Sequence, residues 1–96
     1  MTAFKTAIAA LGDTTEKIIA KLRELNIRGN RHSTCDCPVA NYLHASGFSD
    51  VSVSYMCIAR YENKESQKAG ESFIPNKAVQ TWIIDFDDGK YSEFLL

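Results

Sequence analysis

Two cysteines and two histidines between positions 32 and 44 have the side chains that zinc prefers. His32, Cys35, Cys37 and His44 could supply four nitrogen and sulfur ligands. Cys-x-Cys is tighter than the usual spacing of roughly two to four intervening residues in structural zinc sites. No second cysteine pair follows it. The competing interpretation makes Cys37 a helix cap, Cys35 a loop residue and His44 a helix-surface residue, so we expect no cofactor and keep zinc as the alternative.

Cys37 also has the position of an activated thiol. It precedes Pro38, which suits the first position of a helix because it has no N–H to leave unpaired. A thiolate at this N-cap would be stabilised by the helix dipole and by Arg31 or His32 nearby. Catalysis would also need a base and a group that orients it, and the sequence places neither. We therefore expect a protein that is not an enzyme, with a small thiol protein using Cys35 and Cys37 as an alternative.

The last predicted helix has a basic first turn and an acidic last turn, which is the unfavourable order for the helix dipole. Lys77 lies in the first turn. The acidic residues at the other end are Asp85, Asp87 and Asp88. One interpretation pairs them internally, with Lys90 or with Arg28 and Arg31. The other makes them a surface for a basic partner or a cation.

Helical spacing of apolar residues predicts two N-terminal helices, over residues 2–11 and 13–26, separated at Gly12. Asp13 is predicted to cap the second helix, in a capping box with Glu16. A seven-residue repeat that continues through Gly12 leaves one long helix as the alternative. The predicted buried stripe of the second helix is Ile18, Ile19, Leu22 and Leu25.

A polar loop is predicted to lead into a short helix over residues 38–46 and then into a β-hairpin. Alternation from Val51 becomes an apolar run through Cys57, which predicts a central strand over residues 51–61 with Cys57 buried. Residues 71–75 are the predicted return strand. The mixed-charge residues between these strands, 62–71, are predicted to form an exposed tip.

One more amphipathic helix is predicted after the hairpin, beginning at the cap residue Asn76 and ending at Gly89. Its core face is predicted to be Val79, Trp82, Ile83 and Phe86. Behind it, an apolar tail is expected to fold back onto the body; its residues are Tyr91, Phe94 and Leu95. The sequence thus predicts one α+β domain over residues 1–96, with helices from both ends packed on an antiparallel hairpin.

Composition limits the functional classes. The 96 residues carry a net charge of −1, which is not the basic footprint of a typical nucleic-acid-binding protein. No apolar run approaches the roughly 20 residues of a membrane span. Three cysteines is an odd number for a disulfide framework, and the N-terminus lacks the layout of a signal peptide. We expect a cytoplasmic protein that does not enter membranes.

Four short stretches are similar to small uncharacterised proteins of actinobacteria and their phages. The stretches are Ile27-Arg28-Gly29, Cys37-Pro38-Val39-Ala40-Asn41-Tyr42-Leu43, Val51-Ser52-Val53, and Val79 to Tyr91 with its Trp82-Ile83 and Phe86-Asp87 pairs. The resemblance covers roughly residues 14–94. It implies a bacterial or phage cytoplasmic origin and no particular activity.

The order of elements leaves two functional hypotheses. A winged-helix-like nucleic-acid-binding protein would read bases with the helix at 38–46, which offers only Asn41, Tyr42 and His44. The favoured hypothesis is a non-enzymatic interaction or regulatory module that binds another protein, with self-association left open. Its predicted contact surface joins the 28–37 loop to the acidic helix end through Arg28, Arg31, His32, Asp85, Asp87 and Asp88.

Overall fold

The computed structural model describes residues 3–61 and 69–96, which contain four α-helices, three strands and a 3-10 turn. Their bounds are α1 Ala3–Leu11, α2 Thr15–Glu24, α3 Pro38–Ala45, β1 Val51–Val53, β2 Ile58–Tyr61, β3 Ala69–Phe73, α4 Lys77–Asp87 and the turn Ser92–Phe94. The strands form one antiparallel sheet in the order β1-β2-β3. The predicted α+β class is confirmed. Most of the predicted hairpin tip, residues 62–68, lies outside the described residues.

The two N-terminal helices are separate, which confirms the predicted break and excludes the alternative of one long helix. Gly12 ends α1 with φ +123°, a conformation that other residues rarely adopt. The N-cap of α2 is Thr14 and not Asp13, because the Thr14 side chain accepts the Lys17 N–H at 3.2 Å. Asp13 instead forms an ion pair with the Lys17 ammonium at 3.0 Å. Leu25, predicted to be buried, follows the end of α2 and is 46% exposed.

The short helix α3 begins where the sequence placed it. The Cys37 Sγ accepts the Ala40 N–H at 3.4 Å, which confirms the predicted cap, and Pro38 follows in the first turn. The face that the sequence predicts for this helix is Val39, Tyr42, Leu43 and Ser46; the first three are buried, whereas Ser46 is exposed. The Tyr42 hydroxyl donates to the Ala7 carbonyl at 2.6 Å, so α3 is bonded to α1 as well as packed in the core.

The predicted central strand is interrupted by a turn over residues 54–57. The Ser54 N–H donates to the Cys57 carbonyl at 2.9 Å, and the Ser54 hydroxyl accepts the Cys57 N–H at 3.2 Å. Serine side chains favour such turns because they bond to nearby backbone groups. Two short strands therefore replace one long strand, and the sheet has three strands where two were predicted. The expectation that Cys57 is buried is wrong, since it lies exposed in the turn.

Helix α4 and the C-terminal tail close the core against the loop that precedes α3. The predicted core face of α4 is buried, and Trp82 stacks between the rings of Phe86 and Tyr91, each 5.3 Å away between centroids. The tail folds back as predicted. The Gly29 N–H donates to the Phe94 carbonyl at 2.8 Å, and the Leu96 N–H donates to the Gly29 carbonyl at 3.0 Å.

Among the helices of residues 3–61 and 69–96, none combines the length and apolar character that crossing a membrane requires.

Candidate interaction surfaces

The 28–37 loop is fastened to the C-terminal end of α4 by Arg31. The Arg31 Nε donates to the Phe86 carbonyl at 2.7 Å, and Nη2 donates to the Lys90 carbonyl at 3.2 Å. The same guanidinium lies 5.0 Å from the centre of the Phe86 ring. A cation at a helix C-terminus interacts favourably with the last carbonyls and with the negative end of the dipole. Arg31 thus compensates the unfavourable end of α4 by bonding to its backbone.

The three acidic side chains at this end have different surroundings. Asp85 pairs with the Lys90 ammonium at 3.7 Å, as the internal interpretation expects. Asp87 accepts the backbone N–H of His32 at 2.9 Å, so it holds the loop through a hydrogen bond to an uncharged group. Asp88 is exposed, and the described residues give its side chain no partner. Two of the three carboxylates are therefore already engaged within the protein.

The remaining residues of this predicted surface contribute less to the contact. Arg28 is exposed, and its side chain bonds to none of the described residues; only its carbonyl is engaged, by the Asn41 amide at 2.7 Å. His32 is exposed with φ +58°, a left-handed conformation that the Asp87 hydrogen bond supports. The structure thus brings Arg31, His32 and Asp87 together and leaves Arg28 and Asp88 at the surface.

Cys37 does not have the environment of an activated thiol. It is 5% exposed, and burial raises the pKa of its thiol to about 11. Hydrogen bonds from the N–H groups of Ala40 and Val39 favour the thiolate but do not overcome the burial, and the Asp87 carboxylate opposes it. The helix N-terminus thus favours the thiolate as expected, but burial outweighs this effect, so the predicted activation of Cys37 is wrong. At neutral pH this cysteine is a protonated cap residue of the core.

The four candidate zinc ligands point in different directions. Cys37 faces the core while Cys35 is exposed. The His44 ring is held between backbone carbonyls, with Nδ1 at 2.9 Å from the Phe48 oxygen and Nε2 at 3.0 Å from the Cys35 oxygen. Both ring nitrogens thus lie within hydrogen-bond distance of a carbonyl oxygen, and a neutral imidazole can donate to only one of them. In the part of the chain that the structure describes, no three His, Cys, Asp or Glu side chains are grouped to hold a metal ion.

Helix α3 leaves few side chains free for reading bases. The Asn41 amide donates to the carbonyls of Arg28 and Asp36, at 2.7 and 3.3 Å. Tyr42 is bonded to α1, and His44 faces the two carbonyls named above. All three side chains that the nucleic-acid hypothesis assigned to base contacts have partners inside the protein. Their roles in the structure are to fix α3 to its neighbours.

The sequence missed an exposed apolar cluster at one end of the sheet. Ile58 of β2 pairs with Phe73 of β3, so the next residues, Cys57 and Ile74, lie at the same end. The turn between β1 and β2 adds Tyr55 and Met56 there. Exposed fractions are 48% for Tyr55, 64% for Met56 and 79% for Ile74. We call Tyr55, Met56, Cys57 and Ile74 the sheet-end patch; the only sequence signal for it was Ser54, a turn residue inside an apolar run.

The outer edge of β3 adjoins this patch and has no strand beside it among residues 3–61 and 69–96. In an antiparallel pair, successive residues direct their backbone groups alternately toward and away from the neighbouring strand. The bonds Ser54 to Cys57 and Tyr61 to Asp50 link the turn and β2 to the β1 side, so Ile58 and Arg60 face β3. The N–H and carbonyl of Ser72 therefore face outward. The opposite edge is different, because the Val53 N–H of β1 donates to the Thr34 carbonyl at 2.7 Å.

Within residues 3–61 and 69–96, these features define a small α+β domain of four helices and a three-stranded sheet whose β3 edge is open. No family model, curated protein or solved structure matches the chain.

Proposed function

We propose that this protein is a non-enzymatic binding module that takes up an extended apolar segment of another protein. The segment would lie along the outer edge of β3 and place its apolar side chains on the sheet-end patch. The observation that carries the proposal is Ile74, which is 79% exposed directly after β3, the strand whose outer edge has no strand beside it among the described residues. An exposed β-branched side chain beside open backbone groups is the usual layout for recognition by strand addition.

The physical basis of the proposal is that unpaired backbone groups and exposed apolar side chains lie next to each other at this end of the sheet. The edge offers unpaired backbone groups, which bind any extended chain, and the patch offers apolar area, which selects the chain. Fully burying a side chain of the size of Ile or Met contributes roughly 1.5–3 kcal/mol. Covering Met56 and Ile74 would supply part of the binding free energy, and backbone hydrogen bonds along the outer edge of β3 would supply the rest. The four patch residues are a tyrosine, a methionine, a cysteine and an isoleucine, so the matching segment is apolar.

The loop surface predicted from the sequence is a weaker candidate for a partner. Arg31 and Asp87 use their hydrogen bonds to hold the loop on α4. A partner that paired with either group would first have to replace these internal bonds. Among the described residues, the side chains of the sheet-end patch have no hydrogen bond or ion pair that a partner would have to replace. We also propose a cytoplasmic location, which is supported by three free thiols, since reduced cysteines are typical of that compartment.

A synthetic peptide tests the proposal directly. The probe is a blocked peptide of alternating valine and threonine, and its control has proline at the central position, which removes a backbone donor. In amide NMR titrations we expect the probe to shift the signals of β3 around Ser72 and Ile74. The proline peptide should shift them much less.

Matched variants identify the surface. Ile74→Lys should abolish the shifts, and Ile84→Lys should preserve them, because Ile84 is 47% exposed on α4, away from the sheet. Absence of shifts at β3, or equal shifts in both variants, would overturn the proposal. Sedimentation provides the remaining outcome: self-association that Ile74→Lys abolishes would make a second copy of the chain the occupant, in place of another protein.

A further inference from the structure

A second concave site lies on the other side of the sheet, away from the sheet-end patch. It is bounded by the loop before α3, the end of α3, the start of β1 and the end of β2, and it encloses about 540 Å3. This volume is within the usual range of pockets for small molecules, about 300–1,000 Å3. His44, fixed between the carbonyls of Phe48 and Cys35, forms a rigid part of the wall.

The cavity brings one carboxylate and four hydroxyl groups together. Asp50 is partly buried, and its carboxylate has no hydrogen bond or ion pair within residues 3–61 and 69–96, although its carbonyl accepts the Tyr61 N–H at 2.8 Å. No described residue bonds to the hydroxyls around it, which belong to Thr34, Ser49, Ser52 and Tyr61. Asp50, Ser52 and Tyr61 are partly buried and Thr34 and Ser49 are exposed, so these groups are open to a molecule that enters the cavity, as polar groups that orient a ligand must be.

We infer that this cavity binds a small organic cation that also carries hydroxyl groups, such as an amino sugar. Among the described residues that line the cavity, Asp50 is the one carboxylate and none is a lysine or an arginine. A cleft concentrates the field of such a charge and attracts a cation. The ammonium of the ligand pairs with Asp50, and its hydroxyls exchange hydrogen bonds with the lining hydroxyls, which both donate and accept.

The different surroundings of the three cysteines allow the occupancy of the cavity by a ligand to be measured within one molecule. Cys35 is exposed and lines the cavity, whereas Cys57 is exposed in the sheet-end patch. Cys37 is buried, and the pKa of its thiol is raised to about 11, so it reacts slowly with alkylating reagents. A ligand in the cavity should slow alkylation of Cys35 by iodoacetamide and leave Cys57 unchanged. Mass spectrometry of the cysteine peptides reports both rates together.

The test compares three sugars of similar size and different charge on the full chain at neutral pH. Glucosamine is the cationic probe, glucose the neutral control and glucuronate the anionic control. When the concentration is about ten times Kd, roughly a tenth of the protein stays free, so glucosamine should slow Cys35 about tenfold. Glucose should protect less at the same concentration, and glucuronate least.

Two variants locate the effect. Asp50→Asn should reduce protection by glucosamine to the level of glucose, while Asp88→Asn, which changes an exposed acid outside the cavity, should leave it intact. Amide NMR shifts at Ser49 and Ser52 give a second readout that does not depend on the thiol. No glucosamine effect in either readout, equal effects of glucosamine and glucose, or protection that survives Asp50→Asn would each overturn the inference.

Discussion

The 28–37 loop and the 54–57 turn are both exposed connections, but they satisfy their chemical groups in opposite ways. In the loop, charged and polar groups bond inward: Arg31 holds two carbonyls at the end of α4, and Asp87 holds the backbone of His32. In the turn, the backbone is satisfied by Ser54, but Tyr55 and Met56 point their apolar side chains to solvent.

The difference shows that charge at a surface is a poor guide to where a partner binds. The acidic end of α4 drew attention as a set of unfavourable charges, yet the loop compensates most of it from within. Exposed apolar side chains beside an open strand edge have no such internal solution. Within the described residues, Met56 and Ile74 are 64% and 79% exposed, so a partner that covered them would remove apolar surface from water at this end of the sheet.

The largest effect on the free energy of unfolding is expected at Gly29, where the loop packs against the backbone at the start of α3. A Cβ at Gly29 would lie 2.4 Å from the Cys37 carbonyl carbon and 2.5 Å from the Pro38 nitrogen, both in the backbone. Gly29→Ala should therefore lower the free energy of unfolding by about 3 kcal/mol or more. Gly89→Ala is the control, since its Cβ meets open space and φ +106° costs only about 1 kcal/mol. Urea unfolding checks both, and equal losses would show that the loop is not held tightly.

The next effect is the pH dependence that Cys37 gives to stability. Its thiol pKa rises from 9.0 to about 11 on folding, so between these values the unfolded state has released a proton that the folded state keeps. The stabilisation is complete below pH 9.0 and is lost as pH rises toward 11. The free energy of unfolding should fall by up to about 1.4 kcal/mol per pH unit in this window. Cys37→Ser should remove this part of the slope, and Cys57→Ser should not; identical slopes in all three proteins would contradict the burial of Cys37.

A smaller effect separates the two arginines of the loop. Arg31→Met removes two hydrogen bonds to carbonyls at the end of α4, and we expect a loss of about 1–2 kcal/mol in the free energy of unfolding. Arg28→Met is matched in size and charge change, but its side chain is exposed and bonds to no described residue. That variant should remain within about 0.5 kcal/mol of the wild type. Thermal and urea unfolding measure both, and a larger loss for Arg28 would reverse the assignment of the contact.

The features that could be predicted from the sequence are those that a local pattern of residues controls. Periodic apolar residues located all four helices, and cap chemistry placed the starts of α3 and α4 at Cys37 and Asn76. The break at Gly12 followed from a residue that tolerates positive φ. Thr14 replaced Asp13 as the cap because both residues can accept the bond, and Asp13 is engaged by Lys17.

Contacts between distant residues could not be predicted in the same way. Arg31 meets Phe86 and Lys90 only because the chain folds, and no local pattern pairs residues so far apart. The turn at 54–57 contains no glycine or proline, so an apolar run concealed it and Cys57 was expected in the core. The burial of Cys37 depends on packing around the whole N-terminus of α3, which neither its cap position nor its neighbouring cations reveal. The cavity at Asp50 likewise draws on four separate segments.

The smallest expected effect is at Ile74, where a large change in chemistry should barely alter stability. Ile74→Ala should remain within about 0.5 kcal/mol of the wild type, because a side chain that is 79% exposed contributes little packing. The matched variant is Ile58→Ala in the same sheet. Because Ile58 is fully buried, this variant should lower the free energy of unfolding by about 3 kcal/mol. Urea unfolding of both variants gives the contrast. A loss above about 1 kcal/mol for Ile74→Ala would mean that the patch is already covered within the protein. An unchanged stability combined with loss of the peptide-induced shifts at β3 would instead identify Ile74 as a residue kept for binding.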